Sequence, residues 1–291
     1  MKISKCSWAG PAYAFAAAVC YAGLNTAIRF ADAYMSIWHI IFYRSLFGAV
    51  VMVLWARLAG VAILGRQRST LWLMGMCGAG GVTALTIALV LIPLFEALVL
   101  LYLFPAFAAL LSPWLTTDRV TPRDWLLIAT ACLGTALILW MGHSGSGLQA
   151  GHLLGLLSAF CLGLTFTLIR RTSAANNPLT PFFYICVAGV AVSIGPVMLR
   201  AETLMISPNG LPALVVVVVL ATAAHLAGNK ALACLPSPRV GVILMSEVLF
   251  GAVIGLLLFG EFLAMRSVLG GVLIIGSGIG LNLSAPRNRP E

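Results

Sequence analysis

Apolar residues run through this chain in long blocks, with polar residues gathered in the short gaps between them. The blocks lie at about 9–29, 36–56, 70–91, 94–114, 123–142, 151–170, 181–199, 211–232, 239–259 and 267–284. Each is close to the ~20 residues that a helix needs to cross a bilayer. None shows the short alternating segments of a membrane barrel. Backbone groups in hydrocarbon need partners within the protein, so the pattern predicts an all-α membrane protein of ten transmembrane helices. Pro93 and the run Pro236-Ser237-Pro238 interrupt what would otherwise be over-long apolar stretches. Thr121-Pro122-Arg123-Asp124 has the form of a capping box with proline at the first helical position, and Thr180-Pro181 repeats part of it.

The blocks are duplicated. Residues 9–29 align without gaps on 150–170 at an offset of 141. Both open on Ala-Gly, carry a cysteine at the same place (Cys20, Cys161) and close on Thr-x-Ile-Arg (Thr26 to Arg29, Thr167 to Arg170). Residues 104–118 align on 247–261 at an offset of 143, and each ends at an acid, Asp118 or Glu261. The expected units are 1–146 and 147–291, five helices each, joined through Gly142-His143-Ser144-Gly145-Ser146-Gly147. That segment contains Gly-x-Ser-Gly, which with His225 has the outline of a membrane protease nucleophile. Its position at the repeat boundary and its Gly/Ser content favour a linker.

Basic residues set the orientation. With the N-terminus inside, the cytoplasmic segments hold Lys2, Lys5, Arg57, Arg66, Arg68, Arg119, Arg123, Arg170, Arg171, Arg239, Arg287 and Arg289. The other side holds Arg29, Arg200 and Arg266. Both termini are therefore expected in the cytoplasm. An odd number of helices per unit turns the two halves over relative to each other. The expectation is two inverted five-helix repeats around a central cavity, the architecture of alternating access.

Composition agrees. Hydrophobic residues make up 61% of the chain and charged ones 9%, against about a quarter charged in soluble domains; mean hydropathy is +1.05. The net charge of +9 sits in short loops without interleaved aromatics, so it points to membrane orientation and not to nucleic acid. The seven cysteines are scattered without a C-x-x-C pair, and are expected as apolar packers with no disulfide or zinc site. The first apolar block is too long for a signal-peptide core and is matched by residues 150–170, so it is expected to stay in the fold.

Charge at the bilayer centre costs about 2.5–3.5 kcal/mol on insertion scales. Arg44, Glu96, Glu247 and Lys230 therefore each need a reason. Arg44 and Glu247 can bind a zwitterion, carry a proton or pair structurally. Glu96 sits where a helix N-terminus favours an acid, and Lys230 is placed to snorkel. Glu247 precedes Gly251-x-x-x-Gly255, a close-packing pattern that turns it partly toward a helix interface. His225 and Asn229 are spaced i, i+4 on one helix face, which suits either a wet cavity or hydrogen bonds between helices. Gly270, Gly271, Gly276, Gly278 and Gly280 give the last helix a smooth surface for a neighbour or a second copy of the chain. The dispersed histidines supply no metal site. No Walker A motif and no catalytic constellation is found, so neither a cofactor nor an enzyme is expected.

The duplicated segments, Leu101-Tyr102-Leu103-Phe104-Pro105 and Phe259-Gly260-Glu261 resemble the drug/metabolite transporter superfamily, in particular its ten-helix EamA-type members. Glu96 ahead of the Tyr102–Pro105 segment, with Asn229 in the eighth helix, is most similar to YddG-type amino-acid exporters. Phe104 and Val248 stand where that pattern often has tryptophan and proline. The resemblance implies a cavity lined by Asn25, Thr83, Thr86, Tyr102, Phe104, His225, Asn229 and Ser246, with Arg44, Glu96 and Glu247 for coupling or ion pairing. It implies export of small organic metabolites, amino acids foremost (apolar, aromatic, methionine or threonine), across a bacterial inner membrane. A drug or nucleotide-sugar carrier of the same superfamily is the alternative, although phosphates would call for more cavity cations than Arg44 and Lys230. A membrane-embedded enzyme or a structural membrane protein is the alternative of a different class.

Overall fold

The computed structural model describes residues 9–115, 121–139, 149–172, 175–177, 179–199, 208, 210–234, 237–261 and 264–284. The side chains of Arg170 and Asn229, the linker 142–147 and Asp118 lie outside what is described. All regular elements among these residues are helices: α1 Ala9–Asp32, α2 Ile37–Leu58, α3 Arg68–Leu91, α4 Leu94–Leu101, α5 Phe104–Leu115 and α6 Pro122–Leu139 in the first half. The second half holds α7 Ala150–Thr172, α8 Leu179–Leu199, α9 Leu211–Cys234, α10 Ser237–Leu244, α11 Ser246–Phe259 and α12 Met265–Ser284.

Among the described residues eight stretches are long and apolar enough to cross a membrane, counting Leu94–Leu115 and Val240–Phe259 as one each. The 18-residue α6 and the apolar stretch Met265–Leu281 of α12 fall short of that measure. The lipid-side faces carry exposed Phe15, Leu54, Leu133, Leu157, Val219 and Leu257, the reverse of a soluble surface. Local signals act as expected. Thr121 N–H donates to Asp124 Oδ2 (2.8 Å) and Asp124 N–H to Thr121 Oγ1 (3.3 Å), closing the capping box at α6. Gly260 ends α11 at φ 62°, the left-handed turn that glycine permits, and Glu261 N–H then reaches back to Gly255 O.

The packing is pairwise. α1 lies on α9, α3 on α7, α2 on α8 and α6 on α12. Exchanging the two halves maps this set of contacts onto itself. Glycines bring the axes together: a Cβ on Gly270 of α12 would lie 2.6 Å from Gly134 O, and one on Gly251 of α11 would lie 2.4 Å from Leu98 of α4. All eight residues of α4 are buried, so this short helix is the centre of the bundle.

Two interruptions matter most. The helix expected over 94–114 breaks at Tyr102-Leu103, and the one expected over 239–259 breaks at Met245. The breaks are themselves 143 residues apart. Met245 rests against Gly278 of α12, where a Cβ would lie 2.5 Å from its Cε. One expectation is corrected. Cys234 is disulfide-bonded, with its partner outside the described residues. Scattered spacing hid the pair, because the fold sets which distant cysteines meet. Cys20, Cys77, Cys132, Cys161 and Cys186 are free.

Two glycines of α12 separate packing from propensity. A Cβ at Gly276 meets nothing within 4 Å, whereas one at Gly270 meets the Gly134 backbone, which cannot move aside alone. Gly276→Ala is expected to hold or raise thermal stability in detergent, by up to about 1 kcal/mol. Gly270→Ala is expected to lower it. Equal melting temperatures for the two would rule out the tight α6–α12 crossing.

Candidate functional site

The candidate site forms where the broken helices meet. Glu247 sits in the first turn of α11, just past the break, and is buried. Asn25 of α1 donates from Nδ2 to Glu247 Oε1 at 2.6 Å. The Tyr102 hydroxyl, at the end of α4, lies 2.7 Å from Glu247 Oε2 and 2.7 Å from Leu244 O. The break frees the Leu244 carbonyl, and in hydrocarbon such a group needs a partner. A phenol has one proton to give and faces two acceptors here. Both contacts are met together when Glu247 carries a proton, donating it to the phenol while the phenol donates to Leu244 O.

An aromatic wall adjoins this cluster. Tyr21, one turn before Asn25, meets His225 of α9 edge to face, with ring centroids 5.4 Å apart. His225 in turn packs on Phe182 of α8 at 3.7 Å. His225 Nδ1 lies 2.8 Å from Ala221 O; a carbonyl only accepts, so Nδ1 carries the proton and Nε2 is left as an acceptor. Arg44 of α2 interacts electrostatically with Tyr21, Cys186 and His225. Tyr21, Arg44, Phe182 and His225 all face other helices, yet each keeps part of its surface exposed. A Cβ at Gly228, one turn beyond His225, would meet nothing within 4 Å. Among the described residues no side chain packs against this position.

The other expected residues are placed differently. Ser246 and Thr86 bond to carbonyls of their own chain segment, Ile243 O and Val82 O. The buried Thr83 hydroxyl has no partner. Phe104 stacks on Phe166 of α7 at 4.9 Å and its ring lies 6.0 Å from that of Tyr102, so it borders the Glu247 cluster. Lys230 is exposed with Nζ over the Tyr13 ring, as snorkelling requires. Glu96 belongs to a second buried cluster: His152 Nε2 lies 3.1 Å from Oε2, and Ser267 Oγ donates to Oε1 at 2.7 Å. The Gln149 N–H points at His152 Nδ1, 3.2 Å away. That leaves the imidazole proton on Nε2, facing Glu96. At the same end of the bundle Arg29 pairs with Glu261, which also accepts from Leu94 N–H at 2.9 Å.

Sequence reasoning missed Tyr21, Phe182, His152 and Ser267. Tyr21 was within reach, since it lies i−4 from Asn25 on the same face. His152 and Ser267 meet Glu96 only through long-range packing. A separate recess between α1 and α9 is lined by Ala27, Phe30, Pro212, Ala213 and Val216. These side chains carry no polar group and suit a lipid tail better than a polar solute. Among the described residues no cluster of potential metal ligands occurs.

The Glu247 cluster makes a stability test. Glu247→Gln mimics a protonated carboxyl, accepting from Asn25 and donating to Tyr102. It is expected to melt within a few degrees of the native protein. Glu247→Ala leaves Asn25 and Tyr102 unmatched and is expected to lose about 1–3 kcal/mol per unmet group. Thermal unfolding of the purified variants compares them, and a Gln variant as unstable as the Ala variant contradicts the proton count.

The chain is similar to known proteins over nearly its whole length. The model of the EamA-like transporter family matches it twice, over residues 8–140 and 149–283. The pseudopaline exporter CntI of Pseudomonas aeruginosa, in two strains, is 26% identical over 273 residues, covering 94% of this chain and 95% of the relative. A protein of known crystal structure superposes with a TM-score of 0.67 at 18% identity, over 97% of this chain and 99% of the other. That last likeness concerns the fold alone.

Proposed function

This chain belongs to the EamA-like transporter family, and from that premise we propose that it exports small organic metabolites, amino acids foremost, by alternating access. The observation that carries the proposal is the polar and aromatic cluster at the meeting of two broken helices. Discontinuous helices that cross near the bilayer midplane are how many secondary transporters build a solute site. The proposed frame is ten crossings, with units 1–146 and 147–291 as inverted repeats and both termini in the cytoplasm. Its supports are the 143-residue spacing of the breaks, the contact pattern that survives exchange of the halves and the cytoplasmic-side basic bias. The expected membrane is the bacterial inner membrane. Outward direction is supported by the relatives, which are named as exporters.

In this scheme the solute sits against Tyr21, Phe182 and His225, beside Asn25, Tyr102 and Glu247. The α1–α9 and α3–α7 pairs rock about it. Glu247 is the coupling residue, because its proton is held by groups from the opposite half of the chain. Asn229, whose side chain lies outside what is described, joins the site by its i, i+4 relation to His225.

Counterflow in proteoliposomes tests this. Vesicles are preloaded with one solute and scored for entry of labelled threonine, methionine, phenylalanine or lysine, with pseudopaline as a further solute. Saturable, protein-dependent exchange of a subset is expected; failure of all of them with folded protein removes the metabolite-transport proposal. For an exchanged solute, Glu247→Gln is expected to abolish stimulation by a pH gradient. Unchanged stimulation would discard Glu247 as the proton carrier.

A further inference from the structure

Arg44 is the eighth residue of the 22-residue α2, well inside a span. A guanidinium keeps its proton in any protein environment, so it is a fixed cation and has to be matched. Its surroundings do not match it. Among the described residues no carboxylate, hydrogen-bond acceptor or aromatic ring pairs with it. The buried acids of the described spans are committed elsewhere: Glu96 to His152 and Ser267, Glu247 to Asn25 and Tyr102. Glu261, just past α11, is committed to Arg29. His225 offers only a neutral nitrogen.

The backbone places this cation at the site. Gly48, one turn after Arg44 on the same face, packs on α8: a Cβ there would lie 2.8 Å from Cys186 Sγ and 3.8 Å from the Phe182 ring. Ser45 faces Gly189 of the same helix. Arg44 therefore stands beside Phe182, whose ring leads to His225 and Tyr21. Arg44 is half-buried and makes no hydrogen bond or ion pair with a described side chain, so its donors remain to be matched.

We infer that Arg44 is the carboxylate anchor of the transport site, and that the solutes carried share a free carboxylate. This rests on the transporter proposal above and narrows it. The planar fork of the guanidinium meets a carboxylate with two parallel hydrogen bonds. The carbon body of the solute then lies along Phe182 and Tyr21. With Glu247 capped on both oxygens, the site presents one unmatched positive charge. It selects against solutes that are only cationic, and the solute itself neutralises Arg44 for the crossing.

The test uses full-length protein and each of the four amino acids beside its carboxamide. In wild-type counterflow the amides are expected to compete at least tenfold more weakly than the acids. Arg44→Gln is expected to raise half-saturation for an exchanged amino acid at least tenfold, and Arg44→Lys by less, since a lysine keeps the charge but not the fork. In detergent, the exchanged acid raises the melting temperature of the native protein and its amide does not. Equal competition by amides, or unaltered half-saturation in Arg44→Gln, overturns the anchor and leaves the transporter proposal standing. If Arg44→Gln does not fold, the amide comparison on the native protein decides alone. If no solute is exchanged, the transporter proposal falls first and the anchor falls with it.

Discussion

A helix that breaks inside hydrocarbon exposes carbonyls and amides that lipid cannot satisfy. This chain breaks two of its spans, at Tyr102-Leu103 and at Met245, and much of its architecture answers that cost. The breaks are brought against each other and enclosed by helices of both halves. Tyr102 supplies a hydroxyl to the orphan Leu244 carbonyl. α4 gives up all lipid contact and becomes the buried axis. The glycines at 134, 251, 270 and 278 let the surrounding helices close in far enough to exclude lipid from the breaks.

Polar side chains in the interior join the two halves. Asn25, Glu247 and Tyr102 form one bridge, Glu96 with His152 and Ser267 a second, and Arg29 with Glu261 and Leu94 a third. In each, the acid belongs to one half and its side-chain partners to the other. A bilayer offers no hydrophobic force between helices, so such bonds contribute to which helices associate as well as to how firmly. Two of the bridges lie toward one end of the bundle, at the start of α4. The third lies at the breaks, where a solute would be held.

The helices were legible because apolar blocks of membrane length are hard to mistake. The family model matches the chain twice, and Ala-Gly, the paired cysteines and Thr-x-Ile-Arg already aligned the same two stretches. The breaks were not, because apolar residues run straight through them. Pro105 is a faint sign of the first, but Val248 stands at the matching place in the second half and gives none. Glu247 and Asn25 were picked out singly, as costly polar residues in a span. Their union across 222 positions was invisible, since no local period reports which helices meet. Glu96 does sit in the first turn of α4, where a helix start favours an acid, but its partners on α7 and α12 could not be read from local spacing. The Cys234 disulfide was missed for the same reason.

The two breaks occupy matching places, yet they are not chemically alike. Tyr102 carries a proton donor that ties its break to the opposite half. Met245, its counterpart, has a flexible thioether lodged against Gly278 and can make no comparable bond. A carrier built from turned-over copies passes between two shapes that a two-fold rotation nearly superposes in backbone. In such a scheme the tyrosine knot would have no twin to take its place after the exchange. If this chain works as proposed, its two resting shapes would be unequal in free energy, and the bias would be written by one hydroxyl group that the second half does not repeat.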